Sequence, residues 1–194
     1  MVASICAKLT CQGNSLPPAG VGDPLKPPAQ RKPLLSWRVA ILPFFEQQNI
    51  YNQFKLDEPW DSPNNIKLLA NMPKIYTLPG DDKTKPYHTH YQVFVDNGAA
   101  FDKTQGHNIE DFPDGISNTI LIVEAENAVP WTKPEDVPFD PSKRMVPLMS
   151  RHFGSVIHVS LADGSVRRVV PEISENTFKA AITRNGNDAL GPDW

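Results

Sequence analysis

Two histidines that lie two positions apart, His88 and His90, are the first residues in this sequence that could do chemistry. They fall in a stretch of alternating residues that predicts a β-strand, so both side chains should point to one face of a sheet. Two imidazoles on one face can bind a metal ion when a third ligand is supplied, here by His107, His158 or Asp96. Because no Cys or Glu stands at ligand spacing, we favour solvated histidines and expect neither a metal nor another cofactor.

The acidic residues of the loops offer a second kind of site. Asp111, Asp114 and Asp163 could supply oxygen ligands to Ca²⁺, and Asp114 is the best candidate. Two of them stand directly before glycine, however, and Asp-Gly is first of all a turn-forming pair. The chain has no Gly-x-Ser-x-Gly elbow, no phosphate-binding glycine loop and no Gly-x-Gly-x-x-Gly string. We therefore expect no catalytic residues and a protein that is not an enzyme.

A tryptophan motif is repeated in the chain. Residues 59–63 and 130–134 both read Pro-Trp-x-x-Pro, and carboxylates flank each tryptophan. An exposed indole beside carboxylates can stack on a sugar or on an aromatic ring of a partner, so Trp60, Asp61 and Trp131 are candidate binding residues. The alternative, which we favour, is that each tryptophan anchors its own loop on the core.

Composition excludes several classes of protein. The 194 residues include 19 basic and 22 acidic side chains, and the formal net charge of −3 argues against binding to nucleic acid or to an anionic membrane surface. No stretch approaches the roughly 18 apolar residues of a membrane span. Both cysteines, Cys6 and Cys11, lie near the N-terminus, so a disulfide framework for the domain is excluded.

Proline density divides the chain in two. The proline-rich residues 1–33 predict a flexible, extended arm, and residues 34–190 predict a single globular domain. Ser36 is the expected N-cap of the first helix, which Pro43 should break. A second helical piece is expected over residues 46–54.

Changes of hydrophobic period predict the remaining elements. These are a short helix from Ser62 to near Asn71, a strand over residues 87–95, a central buried strand over 119–125, a hairpin of 156–162 with 165–170, and a helix over 175–184 for which Ser174 is the expected N-cap. Asp163-Gly164 predicts a two-residue type I′ turn, which would pair Leu161 with Val166. Helices segregated from a mainly antiparallel sheet define the α+β class.

Four strings, taken together, resemble a known family. They are LSWRVAILPFFEQQ at residues 35–48, EPWDSPNN at 58–65, DGISNTI at 114–120 running into Val-Glu, and His152 followed by ADGSVR at 162–167. In this order they resemble the planctomycete family called domain of unknown function 1559. The resemblance covers about residues 15–190.

The resemblance implies a pseudopilin-like head domain, similar to those of type II secretion, with a mainly antiparallel sheet. It marks His152, Asp163 and Gly164 as a C-terminal signature, although ten residues rather than nine separate the histidine from the aspartate here. Family members begin with a prepilin helix and belong to the cell envelope. The printed sequence carries neither a prepilin helix nor a signal peptide and, as written, would be expected to stay cytoplasmic.

Three functional hypotheses follow. The first is a non-enzymatic, pseudopilin-like domain that acts in assembly or recognition at the cell envelope, through a protein partner or self-assembly. The second is a binding module for a small ligand or glycan, built on Trp60, Trp131 and nearby acids. The third, which has the least support, is a metal-dependent hydrolase that uses His88, His90 and an aspartate.

Overall fold

The computed structural model describes residues 15–23, 25–27, 30–150 and 156–194. The strands in these ranges are β1 (Ser15–Leu16), β2 (Gly20–Val21), β3 (Leu35–Ser36), β4 (His88–Gln92), β5 (Phe94–Val95), β6 (His107–Asn108), β7 (Ile120–Pro130), β8 (Val137–Pro138), β9 (Ile157–Leu161) and β10 (Val166–Val169). The α-helices are α1 (Trp37–Ala40), α2 (Gln48–Tyr51) and α3 (Glu175–Ile182). Short 3₁₀ helices cover Leu42–Phe45, Asn65–Asn71, Lys74–Tyr76, Ile109–Asp111 and Val146–Leu148.

One four-stranded antiparallel sheet, in the order β10-β9-β7-β4, organises the molecule. The helices lie outside this sheet, so the expected α+β class is confirmed. None of the helices in the described ranges is long and apolar enough to span a membrane.

Strand β7 is the central strand that the apolar run at Ile120–Val123 predicts. It pairs with β4 on one side and β9 on the other, and those four residues are at most 1% exposed. Apolar clusters cover both faces of the sheet, one formed largely by the N-terminal elements and the other including α3. The strand continues to Pro130, and its pairing with β4 shifts register between Thr89 and Tyr91. Because of this irregularity, the spacing of apolar residues does not predict the full length of the strand.

Residues 15–21 of the proline-rich segment pack against the domain, whereas residues 25–27 are exposed. Strand β1 pairs with β6, β2 pairs with β3, and Leu16 and Ala19 are almost fully buried. Backbone pairing and two buried apolar side chains hold this stretch in place. The flexibility and the bounds of the arm over residues 1–33 stay a prediction.

Capping residues were identified correctly at both ends of the domain. The Ser36 side chain accepts a hydrogen bond from the Arg38 amide at the start of α1, and the Ser174 side chain accepts one from the Thr177 amide at the start of α3. Pro43 lies in the 3₁₀ turn that follows α1, which is the expected break. Helix α3 ends at Ile182, two residues before the expected end.

The hairpin of β9 and β10 has a different register from the expected one. Val166 pairs with Ser160, not Leu161, because residues 162–164 form a three-residue loop. Gly164 has a φ of 88°, whereas Asp163 does not have positive φ; its carboxylate instead accepts hydrogen bonds from the Ser165 amide and hydroxyl. A turn followed by a left-handed glycine is the bulged hairpin, so the type I′ prediction was wrong. As a consequence, Val166 is 46% exposed.

Substitutions at the two turn residues of the hairpin should affect the free energy of unfolding very differently. Gly164→Val forces a β-branched residue into a left-handed conformation, and the free energy of unfolding should fall by roughly 1–3 kcal/mol. Asp163→Asn should have almost no effect, since an amide oxygen can still accept from Ser165. Urea unfolding of both variants measures this, and a Gly164→Val protein as stable as the parent would contradict it.

Candidate functional site

A cleft of about 270 Å³ lies between the chain segment at residues 70–88 and β4. Apolar and polar side chains both line it: Ala70, Met72, Thr77, Leu78, Asp81, Thr84, Lys85, Pro86, Tyr87, His88 and His90. Such a mixture of apolar wall and convergent polar groups is typical of ligand sites, and this volume lies just below the range for drug-sized ligands.

Two similar turns shape the cleft. In the first, the Asp81 amide donates to the Leu78 carbonyl, and Gly80 takes a φ of 76° after Pro79. This is the type II pattern, with proline second and a left-handed glycine third. In the second, the His88 amide donates to the Lys85 carbonyl across Pro86 and Tyr87.

Tyr87 occupies the glycine position of that second turn. Its φ is 64°, a conformation that costs a bulky side chain about 1–2 kcal/mol. The side chain is nonetheless 45% exposed and lines the cleft, so burial of the ring does not repay much of that cost. Strain of this kind persists only where the surroundings fix the backbone, and it is concentrated at functional sites.

A compact polar cluster lies at one side of the cleft. His90 Nε2 is 2.7 Å from the Thr84 hydroxyl and 3.3 Å from Asp81 Oδ2, and the Thr84 hydroxyl donates to that same carboxylate oxygen. His90 Nδ1 is 2.7 Å from the Ala125 carbonyl oxygen on β7. Asp81 also accepts from the backbone amides of Lys83 and Thr84, so the loop folds around its side chain.

The Ala125 carbonyl fixes one hydrogen of the His90 ring. A carbonyl oxygen only accepts, so His90 Nδ1 carries a hydrogen. His90 Nε2 faces the Thr84 hydroxyl and Asp81 Oδ2, and its contact with the hydroxyl can run in either direction. The cluster therefore ties the loop at Asp81 and Thr84 to β4 and β7.

Trp131 connects the cleft to the core. Its backbone amide donates to the Tyr87 carbonyl at 3.1 Å, and its indole Nε1 donates to the Leu69 carbonyl at 3.0 Å. Its ring is completely buried, stacked on Tyr76 at 5.8 Å and met edge-on by Phe54. These contacts help to hold Tyr87 in its left-handed conformation.

A buried ion pair between Arg38 and Asp136 lies next to Tyr76. The Arg38 guanidinium, which is 0% exposed, donates to Asp136 Oδ1 at 2.7 Å, to the Ser36 hydroxyl and to the Tyr91 carbonyl. The Tyr76 hydroxyl in turn donates to the Arg38 carbonyl at 2.7 Å. Arg38 therefore fixes Tyr76, on which Trp131 is stacked.

The tryptophan candidates do not form a shared site. Trp131 has no exposed face for a sugar, so of the three expected binding residues it is the one the structure places in the core. Trp60 is half-buried against the core, and the Lys133 ammonium lies 5.7 Å from its ring centre. Asp61 beside it is exposed. Binding at Trp60 and Asp61 stays a prediction.

The histidine and aspartate candidates are spread over separate sites. His107 is 2.7 Å from Asp102, whereas His158 lies near Glu124. In the part of the chain that the structure describes, no three His, Cys, Asp or Glu side chains come close enough to hold a metal ion.

The turn aspartates are used by the backbone. The Asp114 carboxylate accepts from the amides of Gly186 and Asn187, and the Asp111 carboxylate accepts from the Asn108 amide. Of the signature residues, Asp163 and Gly164 lie in the hairpin turn, and His152 lies outside the described residues. None of the described aspartates among them lines the cleft.

The sequence analysis singled out two members of the cleft, His88 and His90, and missed Asp81, Thr84 and Tyr87. Pro79-Gly80 is a visible turn signal that could have located the loop. Pro86-Tyr87 carries no such signal, because a tyrosine at the left-handed position of a turn is an exception. The alternating pattern instead predicts Tyr87 as the first residue of the strand.

A second titratable pair lies in the sheet away from the cleft cluster. Glu124 on β7 is 3% exposed, and its Oε2 is 3.5 Å from His158 Nδ1 on the neighbouring strand β9. Burial raises the pKa of the Glu124 carboxyl to about 7. Burial, and after it the charge of Arg168, lowers the pKa of the His158 imidazole.

Fold and cleft together describe an α+β domain with a small cleft of mixed polar and apolar lining. Residues 12–82, a little over a third of the chain, match the family model described as "Protein of unknown function (DUF1559)", in support of the resemblance inferred from the sequence. No curated protein and no solved structure matches the chain.

We expect the Glu124 carboxyl to make the stability of the protein depend on pH, and one substitution should remove this contribution. Its pKa is about 7 in the folded protein and 4.5 ordinarily, so between these values the folded state holds a proton that the unfolded state has lost. This group therefore lowers stability as pH rises through that window. His158 acts in the opposite direction, so the informative quantity is the difference between the parent and Glu124→Gln. Urea unfolding should show the variant gaining relative stability from pH 5 to pH 8, and a constant difference would contradict the assignment.

Proposed function

We propose that this protein is a non-enzymatic binding domain whose cleft at residues 70–90 takes a small, hydroxyl-rich ligand such as one sugar unit. The observation that supports this most strongly is Tyr87. An aromatic ring remains half-exposed at the cleft although its backbone conformation costs free energy.

The chemistry around Tyr87 suits a sugar ring. An aromatic face binds the apolar face of a pyranose, and the edges of a sugar need both donors and acceptors. Lys85, Thr77 and His88, which carry polar groups, line the same cleft as Tyr87. A volume of about 270 Å³ suits a ligand smaller than a drug-sized molecule. We therefore base the glycan hypothesis on Tyr87 rather than on Trp131.

Binding rather than catalysis is supported by the internal hydrogen bonds of the polar cluster. Asp81, Thr84 and His90 contact one another and the Ala125 carbonyl, so these side chains are engaged within the protein. A cluster of this kind gives a fixed loop and a fixed set of donors. The alternative of a metal-dependent hydrolase draws no support from the arrangement of His88 and His90, because only His90 belongs to this cluster.

A role in the cell envelope is the broader context that we propose. It rests on the resemblance of the sequence to pseudopilin-like proteins and on the family match over residues 12–82. In the envelope, a sugar-binding head would act in recognition. A protein partner or self-assembly would bring it to the envelope. Localisation of the tagged protein in its native cell tests this proposal separately from ligand binding.

Substituting Tyr87 separates its proposed function from a purely structural role. Tyr87→Gly removes the ring but places in the turn the residue that accepts φ of 64° without cost. We expect a melting temperature that is unchanged or higher and a complete loss of binding. The measurement is a saccharide array, followed by titration of each hit by NMR with the parent and the variant.

Glu46→Gly is the matched control. Glu46 is also left-handed, with a φ of 61°, and is exposed after the 3₁₀ turn at Leu42–Phe45, outside the cleft lining. It should gain similar stability and keep full binding. A parent protein that binds no saccharide, or a Tyr87→Gly protein that binds as well as the parent, would overturn the proposal.

A further inference from the structure

Strand β10 is an open edge of the main sheet. It is the terminal strand, paired with β9 on one side only. The Leu161 amide donates to the Ser165 carbonyl at 2.9 Å, which fixes the alternation of the ladder. Arg167 and Val169 therefore direct their backbone groups toward β9, and Val166 and Arg168 direct theirs away from the sheet.

The outward backbone groups are available to a partner. No hydrogen bond joins the amide or carbonyl of Val166 or Arg168 to another segment among the residues described. Val166 and Val170, which share a sheet face with Arg168, are 46% and 50% exposed. An edge with free backbone groups and exposed valines is a template for strand addition.

The charges on this edge select the kind of strand that fits. Arg168 is exposed, Arg167 has its guanidinium 4.7 Å from the Trp194 ring, and neither forms an ion pair with a carboxylate of the described chain. A second copy that added its own β10 with Arg168 opposite Arg168 would bring like charges together, which is unfavourable. A strand with glutamate or aspartate opposite Arg168 would instead be attracted.

We propose that β10 is a docking site for an extended, acidic segment of another protein, which adds to the sheet as a fifth strand. Backbone hydrogen bonds to Val166 and Arg168 supply the pairing, the exposed valines supply apolar contact, and Arg168 supplies the preference for acidic side chains. This site is separate from the cleft and does not depend on the proposed ligand.

The probe is a short capped peptide of alternating Thr and Glu, compared with one of alternating Thr and Lys. We expect the Glu peptide to shift the NMR signals of the Val166 and Arg168 amides and to slow their hydrogen exchange, and the Lys peptide to do neither. In Arg168→Glu the preference should reverse, so that only the Lys peptide binds. In Arg168→Pro, which lacks the outward amide but keeps the bonds to β9, both peptides should fail to bind.

Each other outcome contradicts the proposal. Equal binding of the two peptides would refute the charge preference, and no binding of the Glu peptide to the parent would refute the docking site. Concentration-dependent dimerisation that is lost in Arg168→Pro would assign the edge to a second copy instead. Arg168→Glu keeps every ladder bond, so the test remains decisive if the proline variant fails to fold.

Discussion

The rest of the structure depends on one charge placed where water cannot reach it. Arg38 lies in the first helix among apolar neighbours and is completely buried, as is almost all of Asp136. A buried guanidinium is tolerated only when its hydrogen bonds are supplied by the protein. Asp136 Oδ1 accepts hydrogen bonds from the Arg38 guanidinium, the Trp37 indole and the Val93 amide. One carboxylate oxygen therefore joins α1, the residue between β4 and β5, and the loop before β8.

The candidate ligand site is built outward from this pair. The Arg38 carbonyl accepts from Tyr76, the Tyr76 ring stacks on Trp131, and the Trp131 amide donates to Tyr87. Each step is a direct contact, and the last reaches Tyr87, whose backbone would otherwise relax. An exposed aromatic ring can be held in a costly conformation because the contacts behind it leave little freedom.

Sequence reasoning succeeded where the signal was local. The apolar run at Ile120–Val123 and the caps Ser36 and Ser174 depend on neighbouring residues, and all appear as expected. The register of β9 with β10 was not predicted correctly. The Asp163 carboxylate accepts a hydrogen bond from the Ser165 amide, and the loop is one residue longer than expected. The cleft as a whole was not predicted from the sequence either. The contacts behind it start at Arg38 and Asp136, which are 98 residues apart, and no local pattern indicates that these two residues are partners. Long-range ion pairs leave no periodic trace in a sequence.

A double-mutant cycle on Arg38 and Asp136 tests most directly whether this pair holds the domain together. Arg38→Met removes the guanidinium, and Asp136→Asn removes the carboxylate charge but keeps an oxygen for Trp37 and Val93. Urea unfolding should show each single variant losing about 3–5 kcal/mol, since each leaves one buried charge unpaired. The double variant should lose less than the sum, by a coupling energy of about 1–3 kcal/mol. Additive losses, or single variants within about 0.5 kcal/mol of the parent, would contradict the central place given to the pair.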